Sequence, residues 1–303
     1  MNAMARPSMG KAGAIAVLAM LGATGCPSVA PPPSQFPSAA DALDRMKATY
    51  ACARGVQGDA KVLRHAEEGR IRFNLLFYAV RPELLRLDVL SPPPVQSIVA
   101  TLTSDGTQFT LLDTREKQFL QGPPSTCNIA RLTHVPIPAH SLVTLLRGEA
   151  PLLVHERDQL SLEWNRSGYY VVRIPSRHDA VQEVRLAPWP SDFDRPWQEQ
   201  RLRVLKVQVS QQGHELWRAE MGDHALAPMS GPYVDPDGID SPIPPSGPEC
   251  HVEVPRRIEV EVYGGLQTVQ FRYEDVKVNP PLPEGVFTQP VPPGVRVIPV
   301  TCQ

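Results

Sequence analysis

Five cysteines, eight histidines and one acidic turn hold most of the reactive chemistry in this 303-residue sequence. His65, His134, His140, His155, His178, His214, His224 and His251 are scattered, and no HxxxH or HExxH spacing puts two of them on one helix face for a metal. Gly-x-Ser-x-Gly and glycine-rich phosphate loops are also absent. His178-Asp179 and Asp223-His224 have the residue types of acid–base dyads, but neighbours on a strand point to opposite faces. They read as surface histidines. Asp235-Pro236-Asp237-Gly238-Ile239-Asp240 gathers three carboxylates around a glycine. A calcium loop needs its glycine at the sixth position and a glutamate at the twelfth, so this segment reads as a solvated turn. No catalytic residue, metal or cofactor is expected, and no enzyme activity.

The cysteines are more informative. Residues 1–11 carry two positive charges, Arg6 and Lys11, and residues 12–21 form an uncharged apolar run. Gly22-Ala23-Thr24-Gly25 then leads to Cys26. A basic start, a short apolar run and small residues at a cleavage point make an export signal. The run is too short to span a bilayer, which takes roughly 20 residues. The small residues before Cys26 resemble the lipobox of exported lipoproteins. That resemblance implies cleavage after residue 25, lipidation of the Cys26 sulfur and a membrane anchor. Each buried methylene of the acyl chains adds about 0.8 kcal/mol to the anchoring. Pro27, rather than Asp, follows Cys26; by the same resemblance this implies the outer membrane, with the body facing the periplasm. Residues 26–37 contain five prolines and no charge, so they are expected to form a semi-rigid tether.

Export leaves Cys52, Cys127, Cys250 and Cys302, an even number in an oxidising compartment. Two disulfides follow, with three possible connectivities. The expected one, Cys52–Cys127 with Cys250–Cys302, keeps each bond inside its own half of the chain. No Cys/His spacing fits zinc.

The positioning elements are read from periodicity. Ser38 and Asp41 form a capping-box-like start, and Leu43, Met46 and Tyr50 share one face of the helix behind it. Alternation then takes over: Ile71, Phe73, Leu75 and Phe77 in one segment, Leu85, Leu87 and Val89 in the next. Asp105-Gly106, 166–168 and Gly264-Gly265 are hairpin turn signals. A second helix carries Leu142, Leu145 and Leu146 between Pro138 and a Gly148 cap. The expected class is mainly β (α+β): a curved antiparallel sheet of eleven or twelve strands forming an incomplete barrel, with helices over the concave side. The body is expected at 38–288, with an insertion near 189–250 and a proline-rich tail at 289–303. With a net charge of −2, nothing favours nucleic acid.

The order from Glu83 to Leu152 also resembles a family. An amphipathic strand, the Leu90-Ser91-Pro92 loop, a strand, the Ser104-Asp105-Gly106 turn, another strand, and Val135-Pro136-Ile137-Pro138 with its leucine-rich helix are similar to outer-membrane lipoprotein receptors of the LolB type and LolB-like lipoproteins. Pro255-Arg256-Arg257-Ile258-Glu259-Val260, Val278-Asn279-Pro280 and Gly285-Val286-Phe287 look like the closing strands of that group. The resemblance implies a half-barrel with a helical lid over an apolar cavity for acyl chains of lipoproteins or other lipids. It also implies a periplasmic carrier as partner. On this reading Ile71, Phe73, Leu75, Phe77, Leu85, Leu87 and Val89 form the cavity wall, and Leu142, Leu145 and Leu146 the lid. Leu90 and Val95 are candidates for a loop that hands cargo to the membrane. The alternative is an interaction, assembly or sensing lipoprotein of the envelope with the same fold and no lipid transfer.

Overall fold

The computed structural model describes residues 28–67, 69–262 and 267–302. Cys26, the export signal and the Gly264-Gly265 turn lie outside the described residues.

The first helix, α1 (Ala39–Thr49), starts as its sequence dictates. The Ser38 Oγ accepts the Asp41 amide at 3.1 Å, satisfying one of the donors that a helix N-terminus leaves open. Ala42, Leu43 and Met46 form the buried stripe, and Tyr50 continues it. Next come the long strands β1 (Gly55–Ala66) and β2 (Gly69–Val80), then β3 (Leu84–Leu90), β4 (Ile98–Ser104), β5 (Phe109–Asp113) and β6 (Gln118–Gly122). Two helices follow, α2 (Thr126–Thr133) and α3 (Ala139–Leu146). The second half adds β7 (Ser161–Asn165), β8 (Tyr169–Pro175), β9 (Ala180–Pro188), β10 (Leu202–Gln211), β11 (His214–Leu226), β12 (Glu253–Val262), β13 (Gln267–Val278) and β14 (Arg296–Pro299).

These strands form one unclosed, curved sheet in the order β14-β6-β5-β4-β3-β2-β1-β13-β12-β11-β10-β9-β8-β7. Every pairing is antiparallel except β14 on β6. The two halves meet where β13 pairs β1, Val62 opposite Phe271. The expected incomplete barrel is the observed class, with fourteen strands among the described residues rather than eleven or twelve. One face of each strand packs into a single apolar core with the helices, including Leu75, Phe77, Leu85, Leu87, Val184 and Leu186. Each such side chain contributes about 1.5–3 kcal/mol by leaving water.

Several expectations are corrected. The disulfides are Cys52–Cys250 and Cys127–Cys302, with Cα separations of 5.3 and 6.0 Å. The chain halves are not separate bodies. The segment before β12 returns beside the α1–β1 linker, and β14 returns to β6 next to α2, so each bond joins the two halves. Asn279 reinforces the first junction: its side chain accepts the Arg54 amide at 2.7 Å and donates to the Cys52 and Pro248 carbonyls at 3.0 and 2.8 Å. The segment expected as an insertion, 189–250, supplies β10 and β11 to the middle of the second half. The tail at 289–303 supplies β14. α2 was not anticipated, because Ile129 and Leu132 are too few apolar residues to mark a helical period.

The proline-rich stretch is docked rather than free from Val29 onward. The Val29 amide donates to Arg166 O at 2.8 Å, and Trp164 Nε1 donates to Val29 O at 3.1 Å. Phe36 is 5% exposed and packs edge-on against Tyr170 at 5.2 Å. An aromatic ring and extended backbone carbonyls gain partners on the body that a solvated spacer lacks.

Candidate functional site

Of the ten residues expected to line a cavity, seven pack shut. Leu75, Phe77, Leu85, Leu87, Leu142, Leu145 and Leu146 are each at most 3% exposed and belong to the core. Phe73 and Val89 are half-buried, and Ile71 is 50% exposed. The α3 lid is fixed at its C-terminal end. Arg147 is fully buried, donating to Ala53 O at 3.0 Å and Tyr50 O at 3.2 Å and pairing with Glu149 at 3.0 Å. Tyr273 adds a 2.9 Å hydrogen bond to Leu146 O. A void of about 10 Å³ remains on the concave side, bounded by Val62, Phe73, Leu75, Leu87 and Phe271 on the sheet and Leu132 and Thr133 on α2. That is room for at most about one water. The expected large concave cavity is therefore filled, because side chains from three helices and the inward strand faces interdigitate at interior density.

α2 is held at its start. Cys127 is bonded to Cys302, and Asn128 Nδ2 donates to Pro123 O at 2.9 Å. Its other end, at Leu132 and Thr133, closes the seam over the void, and His134 just beyond takes a left-handed conformation (φ 55°).

A much larger groove, about 830 Å³, runs along the same strands and takes most of its lining from their other face. Alternation identifies the face. Lys61, Leu63, Arg72, Asn74, Gln270 and Arg272 line it from one row, and Val62, Ile71, Phe73 and Val89 of the core-facing row border it as well. Val62 and Phe73 border both the groove and the concave void, whereas Leu75, Leu87 and Phe271 border the void alone. The second wall is the β3–β4 connection with Leu90, Pro92 and Pro93, together with Val99 and Arg115. That loop is closed by Ser91, whose amide donates to Ser97 O at 2.8 Å and whose Oγ accepts the Ser97 amide at 2.9 Å. Leu90 thus lines the groove, while Val95 stands 75% exposed at the loop tip. Four of the residues singled out in the sequence, Ile71, Phe73, Val89 and Leu90, line this groove, but sequence reasoning missed its cationic rim. Its cations at alternate positions, Arg70 and Arg72 between Ile71 and Phe73, were the available signal.

The titratable groups elsewhere serve the fold. His224 Nε2 lies 3.1 Å from Val204 O, and burial, aided by nearby Arg203, pushes its pKa down to about 4. In the acidic turn, Asp235 accepts the Ile239 and Asp240 amides at 2.9 and 3.2 Å, which hold its carboxyl below the usual range. Its oxygens cap backbone rather than face a common centre. Among the described residues no three metal-ligating side chains converge.

No family model matches this chain, and no curated protein matches it. Solved structures do. A DUF1329 family protein from Desulfovibrio piger matches 84% of this chain and 98% of its own length at 8% identity and a TM-score of 0.50. A LolA superfamily protein from Nitrosomonas europaea matches 83% and 98% at 14% identity and a TM-score of 0.48. An outer membrane lipoprotein-sorting protein domain, so described, from Vibrio parahaemolyticus matches 82% and 95% at 11% and 0.46. At these identities the likeness is one of fold, and it does not single out the LolB type.

Proposed function

We propose that this protein handles lipids or lipoproteins in the bacterial envelope, anchored to the outer membrane through Cys26 and taking acyl chains between α2 and the concave sheet face. The observation that carries this reading is the seam at Leu132 and Thr133. There an otherwise filled apolar face retains a void, under a short helix tied at its opposite end by the Cys127–Cys302 bond. Lifting the C-terminal end of α2 would expose Val62, Phe73, Leu75 and Phe271, an apolar strip suited to methylene chains. Cargo would arrive from a periplasmic carrier. The signal-less protein, purified from cells and extracted with organic solvent, is expected to release acyl species at fixed stoichiometry. Leu132→Trp, which fills the seam, should reduce that content severalfold. Lipid-free protein that also fails to bind a fluorescent fatty acid saturably would overturn the proposal.

The filled concave face favours a second reading, an interaction or assembly lipoprotein that keeps the fold without transferring lipid. It predicts lipid-free protein and a stoichiometric protein partner in affinity purification from solubilised envelopes.

A further inference from the structure

We propose that the outer-face groove binds a single anionic amphiphile: one hydrocarbon chain bearing a phosphate or carboxylate head. All five charged residues that line the groove are cations, Lys61, Arg70, Arg72, Arg115 and Arg272, although the whole chain carries 32 acidic against 30 basic residues. Lys61 pairs with Glu274 on the flank, whereas none of the four arginines forms an ion pair among the described residues. Guanidinium groups fork onto phosphate or carboxylate oxygens through two parallel N–H donors, so unpaired arginines around a hollow form an anion-binding rim. Between them Leu63, Leu90, Val99 and the Pro92-Pro93 wall supply apolar surface. An inorganic anion has no use for that surface. A volume of about 830 Å³ lies in the upper range of small-ligand sites, about 300–1,000 Å³.

Val62 and Phe73 border both the groove and the α2 seam, but none of the five cations lines the seam and neither Leu132 nor Thr133 lines the groove, so the site stands whether or not acyl chains enter beneath α2. The complementarity of charge and apolar lining selects the occupant. A zwitterionic lipid offers the same chain but gains no net attraction, and inorganic phosphate offers the head alone.

Calorimetric titration of the signal-less protein with lysophosphatidylglycerol, below its micelle concentration, is expected to show one saturable site at least tenfold tighter than for lysophosphatidylcholine. Arg72→Gln combined with Arg272→Gln should weaken lysophosphatidylglycerol binding at least tenfold while leaving the melting temperature and the lysophosphatidylcholine titration unchanged. Leu132→Trp, aimed at the seam, should leave lysophosphatidylglycerol binding unchanged. Equal affinity for the two lipids, inorganic phosphate binding as tightly as the lipid, an unaltered double variant, or loss of binding in Leu132→Trp would each overturn the proposal.

Discussion

Trp164 Nε1 donates a 3.1 Å hydrogen bond to the carbonyl of Val29, three residues beyond Cys26, and this fixes the start of the described chain to the β7–β8 hairpin. Three extended residues reach roughly 11 Å at most. If Cys26 carries lipid, the 165–168 turn must therefore sit close to the bilayer. The β5–β6 turn lies on the other rim of the sheet, beside the groove. In protein anchored through Cys26 in vesicles, Ser167→Cys is expected to react with a membrane-impermeant maleimide several times more slowly than Glu116→Cys. Equal rates would mean the docked segment does not orient the body. A Cys26→Ala protein should appear in the soluble fraction.

The pairing Cys52–Cys250 and Cys127–Cys302 is directly testable. Non-reducing digestion should yield those two linked peptides, and a Cys52–Cys127 peptide would contradict the observed topology. The bonds close sequence separations of 198 and 175 residues. Loops of that size place the loss on removing one bond, as in Cys250→Ser with Cys52→Ser, at about 3–5 kcal/mol. Urea unfolding of the double serine variant measures it.

Asp192 is fully buried, and Arg201 grips it with Nε on Oδ2 at 2.7 Å and Nη2 on Oδ1 at 2.9 Å. The guanidinium lies 3.8 Å from the centroid of the Trp189 ring. Burial alone would raise the carboxyl pKa, but the Arg201 hydrogen bonds and charge outweigh it and hold the value at about 2. Asp192→Asn breaks the pair and leaves Arg201 partly desolvated. Because Arg201 still reaches water, the expected cost is about 2–3 kcal/mol rather than the larger figure for a wholly buried pair, read as a lower urea midpoint.

His224 gives a pH signature. Its folded pKa, about 4, lies below the ordinary value of 6.5. The unfolded chain therefore binds the proton first, so the neutral imidazole's stabilisation is complete above about pH 6.5 and is lost as pH falls towards 4. The loss amounts to at most about 3 kcal/mol. His224→Gln keeps an N–H donor within reach of Val204 O and should flatten the stability curve between pH 6.5 and 4. An unchanged slope would assign that dependence to other groups.

Local rules were legible in the residues. Ser38 and Asp41 announced a cap, Leu43, Met46 and Tyr50 a buried stripe, and Leu75, Phe77, Leu85 and Leu87 the inward face, because each depends on neighbours a few positions away. The run of short alternating strands pointed to a curved, partly closed sheet, and the resemblance to LolB-type lipoproteins implied the same half-barrel. Cavity and disulfides were misjudged because they depend on contacts between distant segments. Nothing near Leu142 or Leu75 in sequence says that α1, α2 and α3 together fill the hollow, or that β14 returns to β6.

The sequence by itself determined which side chains share a face, since strand alternation has a period of two and helices one of 3.6. Tertiary structure alone decided what each face does. Ile71 and Phe73 continue the row of the core-facing Leu75, while Arg70 and Arg72 belong to a face that becomes a cationic groove where β1, β2 and β13 meet the proline loop. A pattern along one strand records its two sides, but whether a side is covered, filled or left hollow depends on elements that pack there from elsewhere in the chain.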